Sequence, residues 1–229
     1  TREAMAGDID ISLKNLGTTY IDLYQVHNPS PKDLETVISC GGALEALFEA
    51  KEKGKIGHVG ITLHSLELFE RALELPWVET VMFPYTMVES QGKELISKCA
   101  EKNIGFIAMK PLAGGAIDDG DLALRYILNN PEVTVVIPGM ADVKEIKQNA
   151  AAANDTSPLT SGEREKIEQI KDTCFLLVQK LGLSNDDKMY TKDFVIAVQS
   201  DVIKAYEEAK KKYEETVHAK EQLEQLKVD

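Results

Sequence analysis

The chain has 229 residues, 43% hydrophobic and 28% charged, long enough for one large domain or two small ones with a sizeable core. Its 26 Lys and Arg are outnumbered by 38 Asp and Glu, giving a formal charge of -12, and no basic patch with interleaved aromatics is present, which argues against a nucleic-acid partner. The apolar runs are strand-length, short of the ~18 residues of a membrane span, and Cys40, Cys99 and Cys174 are far apart without a CxxC pair, so neither a disulfide framework nor a zinc or iron–sulfur site is written here. A reduced cytoplasmic protein with no nucleic-acid or membrane partner is expected, and because the sequence opens on Thr1 without a Met, a segment upstream is expected too.

Along the chain, short β-rich runs alternate with stretches of helical spacing. The first strand, YIDLYQVH (20–27), ends on His27, Asn28 and Pro29. A helix over 34–54 follows, then strand 56–62 (IGHVGIT), helix 65–75, strand 80–85 (TVMFPY) and helix 92–103. Strand 104–110 (IGFIAMK), helix 121–130, strand 133–139 (VTVVIPG) and helix 142–154 complete the series. Gly54 and Asn103 follow Lys-rich last turns and read as C-terminal caps, and Pro131 reads as a helix stop. Near-continuous apolar strands require burial on both faces, which a parallel sheet covered by helices supplies, so the class is α/β. Both a doubly wound sheet and a (βα)8 barrel fit the spacing of these units.

From about residue 156 the texture changes. Pro158 and Ser161 introduce a helical stretch, LGLSNDD (181–187) reads as a loop, and 191–229 is a long helical run, apolar at Val195, Val198, Val202, Ala205, Ala209 and Tyr213 and then almost wholly polar. This divides the chain into an α/β part, 1–158, and a helical extension, 159–229, whose long helix is the candidate surface for self-association.

In parallel βα folds ligands bind at the carboxyl ends of the strands. That rule selects His27 and Asn28; Thr62, His64 and Ser65; Tyr85 and Thr86; Lys110, Pro111 and Leu112 with Gly114 and Gly115; and Pro138, Gly139 and Met140. MKPLAGG (109–115) and IPGM (137–140) offer backbone N–H groups free of bulky side chains, which suits phosphate.

These residues also carry a resemblance. REAMAGDIDISLKNLGTTYIDLYQVHNPS (2–30), EAKEKGKIGHVGITLHS (49–65), MFPYTMVES (82–90), IGFIAMKPLAGG (104–115), VVIPGM (135–140) and KEIKQN (144–149) resemble, in order and spacing over about residues 1–172, the aldo/keto reductases. The nearest look is to bacterial and archaeal members with a ferredoxin-like C-terminal extension. The resemblance implies a (βα)8 TIM-type barrel that reduces aldehydes or ketones with NADPH laid across its top. It further implies four catalytic groups, an Asp, a Tyr, a Lys and a His, of which His27 alone matches, at the end of what would be the fourth strand. Asn28 would border the substrate pocket. Thr62 and Ser65 match the region touching the nicotinamide carboxamide, and Tyr85 the ring on which nicotinamide stacks. Pro111, Leu112, Gly114 and Gly115 match the pyrophosphate loop; Gly139, Met140 and Asn149 match the adenosine end.

The departures from the family pattern are specific. Thr86 stands where Asn is common, Met82 where Gln is common, and Gln148 where Glu often precedes the Asn. No Arg flanks IPGM to hold a 2′-phosphate; Lys144 and Lys147 are the basic residues there, so NADH stands beside NADPH as a candidate. The family's first three strands, with the Asp, Tyr and Lys, would precede Thr1, so an incomplete barrel of about five units and an inactive chain are expected. The extension holds Cys174 where ferredoxin-like tails carry clustered cysteines, so no iron–sulfur cluster is expected. The alternative reading is a non-catalytic binding or assembly protein built from a degenerate reductase half and a helical tail.

Overall fold

A computed structural model describes residues 1–180; the expected loop at 181–187 and the long helix at 191–229, with the self-association assigned to it, lie outside them. Ahead of the first expected strand stands a helix that the strand pattern does not announce, α1 (Arg2–Leu16). Its signals are local: the Thr1 hydroxyl accepts from the Ala4 N–H, and Gly17, at φ 64°, closes the C-terminus. Ile9 and Leu13, four residues apart, are its buried side chains.

The strands follow in the expected places: β1 (Ile21–His27), β2 (Ile56–Thr62), β3 (Thr80–Pro84), β4 (Gly105–Met109) and β5 (Val135–Ile137). Between them lie α2 (Pro31–Ile38), α3 (Ala43–Glu52), α4 (Leu66–Ala72), α5 (Lys93–Glu101) and α6 (Gly120–Leu128), followed by α7 (Val143–Asn154) and α8 (Ser161–Lys180). The single helix expected over 34–54 is two. Gly41 takes φ 73°, and a Cβ on Gly42 would stand 2.3 Å from the Val37 carbonyl oxygen, so the Gly-Gly step breaks the helix and tolerates no larger residue at its second position. Gly54 and Asn103 do adopt the left-handed conformation of C-terminal caps, at φ 67° and 56°.

All strand pairs are parallel and the order is β1-β2-β3-β4-β5. Strand order equal to sequence order decides between the two architectures that the spacing permits, since a doubly wound sheet reverses its order at a switch point. The fold is of the (βα)8 barrel type, present as five strands among the described residues.

Register sorts the side chains. Val59, Ile61, Val81, Phe83, Phe106 and Ala108 point to the helices and are at most 1% exposed. Phe69 of α4 packs between Phe83 and Phe106, at ring-centroid distances of 5.1 and 6.0 Å. On the opposite face, partners in register form a row across the whole sheet: His27, Thr62, Met82, Ile107 and Val135. Just before β3, at the N-terminal edge of the strands, Glu79 ties three elements together, accepting from Lys51 (2.6 Å), His58 (2.6 Å) and the Val59 N–H (2.9 Å). Burial alone would raise its pKa, but these donors hold it down to about 2.

The chain forms two compact units, Thr1–Leu112 with Asp119–Leu159, and Ala113–Asp118 with the chain from Thr160 on. The short stretch 113–118 belongs to the second unit. In the first, Arg125 of α6 is buried and pairs with Asp155 (3.1 Å) while donating to the Ser157 hydroxyl (3.1 Å), which fastens the segment after α7 to α6. No helix among the described residues is long and apolar enough to cross a membrane.

Because Phe69 is fully buried between two rings, Phe69→Ala is expected to cost about 3–5 kcal/mol. Phe48→Ser, at a side chain 44% exposed, should stay within about 0.5 kcal/mol of the parent. Urea unfolding followed by the fluorescence of the single tryptophan, Trp77, compares the two.

Candidate active site

β1 ends in a built corner. Asn28 takes the left-handed conformation, φ 39°, which turns the chain out of the strand. Its N–H donates both to the Thr62 carbonyl oxygen (3.0 Å) and to the Thr62 hydroxyl (2.9 Å) on the neighbouring strand. Pro29 is buried, the Ser30 and Asp33 side chains form a capping box, and Pro31 opens α2. The corner leaves the His27 side chain exposed and directly beside Thr62 in the sheet register.

The other expected residues fall in several places. Thr62 is buried and its hydroxyl is engaged by Asn28. Ser65 is the N-cap of α4, accepting from the Leu68 N–H at 3.4 Å. Tyr85, 2% exposed, continues the Val81–Phe83 series, so its ring lies in the helix-side core, 6.2 Å from Phe106 and 6.1 Å from Tyr126, and not on the face that carries His27. Burial pushes its phenol up to about 12.

At the end of β4 the backbone turns sharply: Lys110 has φ 54° and Pro111 is buried, and Leu112 lies against Gly120, 3.7 Å from where its Cβ would be. Ala113, Gly114 and Gly115, with φ 48°, 68° and 98°, open the second unit as a short 3-10 turn. Beyond β5, Gly139 would meet nothing within 4 Å of an added Cβ, Met140 is 50% exposed, and Asn149 is half-buried in α7.

A second cluster lies at the same strand ends. His64, two residues beyond β2, is half-buried, and its pKa is lowered first by burial and then by the charges of Lys110 and His27. Lys110 also faces Glu89, in the turn after β3. Thr86 builds that turn: its hydroxyl accepts from the Val88 and Glu89 N–H groups (3.1 and 3.0 Å), and its N–H donates to the Glu89 carbonyl oxygen (3.2 Å). The Glu89 carboxyl is carried inward to 6% exposure, where Oε2 accepts no hydrogen bond. Burial drives it up to about 7 against the pull of Lys110.

Residues 1–121 match the Aldo/keto reductase family. The chain belongs to the aldo/keto reductase family. Among curated relatives, an uncharacterised oxidoreductase of Schizosaccharomyces pombe is 25% identical over 162 residues, 64% of this chain and 51% of the relative. The L-galactose dehydrogenase of Arabidopsis thaliana is 25% identical over 205 residues (74% and 63%). The NADPH-dependent alpha-keto amide reductase of Saccharomyces cerevisiae is 26% identical over 191 residues (73% and 61%). The chain thus spans roughly half to two thirds of the length of these relatives. Among solved structures, the holo form of an aldo-keto reductase from Bacillus halodurans superposes with a TM-score of 0.61 at 23% identity, covering 74% of this chain and 67% of its own, which shows the shared fold.

Lys144 and Lys147 are exposed in the first turns of α7. Glu89 was not among the expected site residues, because it lies beyond the strand-end positions Tyr85 and Thr86 that the site rule selects; its burial arises only from the Thr86 turn.

Glu89 fixes a pH dependence. Its folded pKa lies above the ordinary carboxylate value, so its contribution to stability is fully present below about 4.5 and is lost as pH rises through about 7. Glu89→Gln is therefore expected to match the parent near pH 4 and to exceed it by about 3 kcal/mol at pH 8, read from urea midpoints at both pH values; equal midpoints at pH 8 would refute it.

Proposed function

We propose that this aldo/keto reductase acts in carbonyl reduction, receiving hydride from NADPH onto an aldehyde or ketone held at the His27 corner. The observation that carries the reading is His27 at the end of β1, exposed and in register with Thr62, within a family fold. An imidazole N–H at that place donates to a carbonyl oxygen as negative charge develops on it, which is worth most where the donor is fixed in advance. The Asn28–Thr62 hydrogen bonds do that fixing by holding the backbone that follows His27. Asn28 borders the substrate, while Thr62 and Ser65 lie along the adjoining strand end.

NADPH supplies the hydride when bound. Pro111, Leu112, Gly114 and Gly115 are assigned to its pyrophosphate, and Gly139, Met140 and Asn149 to its adenosine end, with Lys144 and Lys147 as the cations available to a 2′-phosphate. The yeast relative named for NADPH supports this choice. The family's Asp, Tyr and Lys have no matching positions in this sequence, so the 229 residues by themselves are proposed to bind dinucleotide without turning over.

Two measurements test the reading. Calorimetric titration should show NADPH binding to the chain, weakened about tenfold by K144A/K147A with NADH unaffected. Absence of any dinucleotide binding sinks the assignment. In an assay of NADPH oxidation with a panel of aldehydes, appreciable turnover by the chain alone would remove the need for the three further groups.

A further inference from the structure

The loop between β3 and α5 is built around a buried acid. Its first residues form a turn that the backbone closes twice: the Thr86 N–H donates to the Glu89 carbonyl oxygen (3.2 Å), and the Glu89 N–H donates to that of Thr86 (3.3 Å). The Thr86 hydroxyl strengthens the closure by accepting from the Val88 N–H (3.1 Å) and the Glu89 N–H (3.0 Å). Thr86, Met87 and Glu89 are buried, whereas Ser90 and Gln91, the next two residues, are exposed. The turn's own hydrogen bonds thus shut in a carboxyl that stands one residue from water.

The surroundings of Glu89 suit a neutral acid. Its Oε2 is buried and accepts no hydrogen bond from the described residues, and a carboxylate without donors is costly to keep out of water. Lys110, beyond β4, is the group whose charge acts on Glu89. Lys93, at the start of α5, acts on Tyr85 at the head of the loop, and His64, beyond β2, is coupled to Lys110. Burial outweighs the pull of Lys110 and pushes the Glu89 carboxyl up to about 7.

We propose that residues 86–89 are a pH-operated latch: ionisation turns the Glu89 side chain out to water beside Ser90 and Gln91, breaks the Thr86 hydrogen bonds and frees the β3–α5 loop. The latch lies beyond the carboxyl end of β3, the end of the sheet at which parallel βα folds bind ligands. It needs neither dinucleotide nor carbonyl substrate. A neutral carboxyl stays shut in, so closure is complete below about 4.5 and is lost as pH rises through about 7. One proton separates the closed form from the open one across that window, so the open fraction grows about tenfold from pH 6 to pH 8.

Hydrogen exchange of the full chain tests the latch, read by mass spectrometry over peptides covering 84–92 and 104–110 and expressed as protection relative to free amides at each pH. The 84–92 peptide should lose about tenfold in protection between pH 6 and pH 8. It should also stay at least about tenfold less protected than 104–110, whose strand lies in the core. Glu89→Gln, neutral at both pH values, should keep its pH 6 protection at pH 8. Thr86→Val holds the shape without the hydroxyl and should exchange at pH 6 at least as fast as the parent at pH 8. Constant protection in the parent would mean that the carboxylate is accommodated inside the turn. Equal protection in the two peptides would make the response one of global unfolding, and a fall retained by Glu89→Gln would assign it to another group. Each of these overturns the latch, as does a Thr86→Val chain as protected as the parent at pH 6.

Discussion

The parallel register between β1 and β2 is the constraint on which the candidate site depends. His27 opposite Thr62 puts the imidazole on the face away from the helices, while Val26 and Ile61 go into the core. Side chains alternate along a strand, so a slip of one residue would bury His27 under the helices and expose Val26. Two features pin the register. The Asn28 N–H is held by both oxygens of Thr62 at the top. Near the bottom, Gly57 leaves room for the Asp22 carbonyl oxygen of β1, 2.8 Å from where a Cβ would stand. The same pairing carries the row from His27 across to Val135, so one local alignment orders the entire face.

Charge is distributed unequally between the two ends of the sheet. Glu79, at the amino end of β3, is surrounded by donors and stays ionised far below neutral pH, which makes it a fastening between α3, β2 and β3. Glu89, beyond the carboxyl end of the same strand, is buried with far less compensation. Buried carboxyls without partners cost stability, and such costs concentrate where ligands bind. The contrast separates an end of the sheet fastened by ion pairs from an end that keeps a buried carboxyl near neutrality.

Membership of the family and the barrel-type strand order agree with each other without sharing evidence, since the first rests on residues 1–121 and the second on sheet pairing. The sheet's outer strand, β5, keeps Val135 and Ile137 45% and 41% exposed, on the face that further strands of a closed barrel would enclose. The proposed chemistry accordingly assigns this chain a share of the site, the carbonyl-facing histidine and the anion-binding strand ends.

Residues in the sequence alone determined the five strands, the caps at Gly54 and Asn103, and the candidate His27, because hydrophobic period and capping chemistry are local and survive without the fold. The signals for α1, at Thr1 and Gly17, and for the break at Gly41–Gly42 are local as well, yet the expected elements included neither. Tertiary structure decided what distance along the chain conceals. It chose barrel winding over a doubly wound sheet, because strand order is a property of pairing between segments. It put Tyr85 into the helix-side core, because the parity of β3 is set by Phe83 packing on Phe69. And it brought His64, Lys110 and Glu89 to one rim from three separate loops, where burial and mutual charge, which no residue carries by itself, change their acidity.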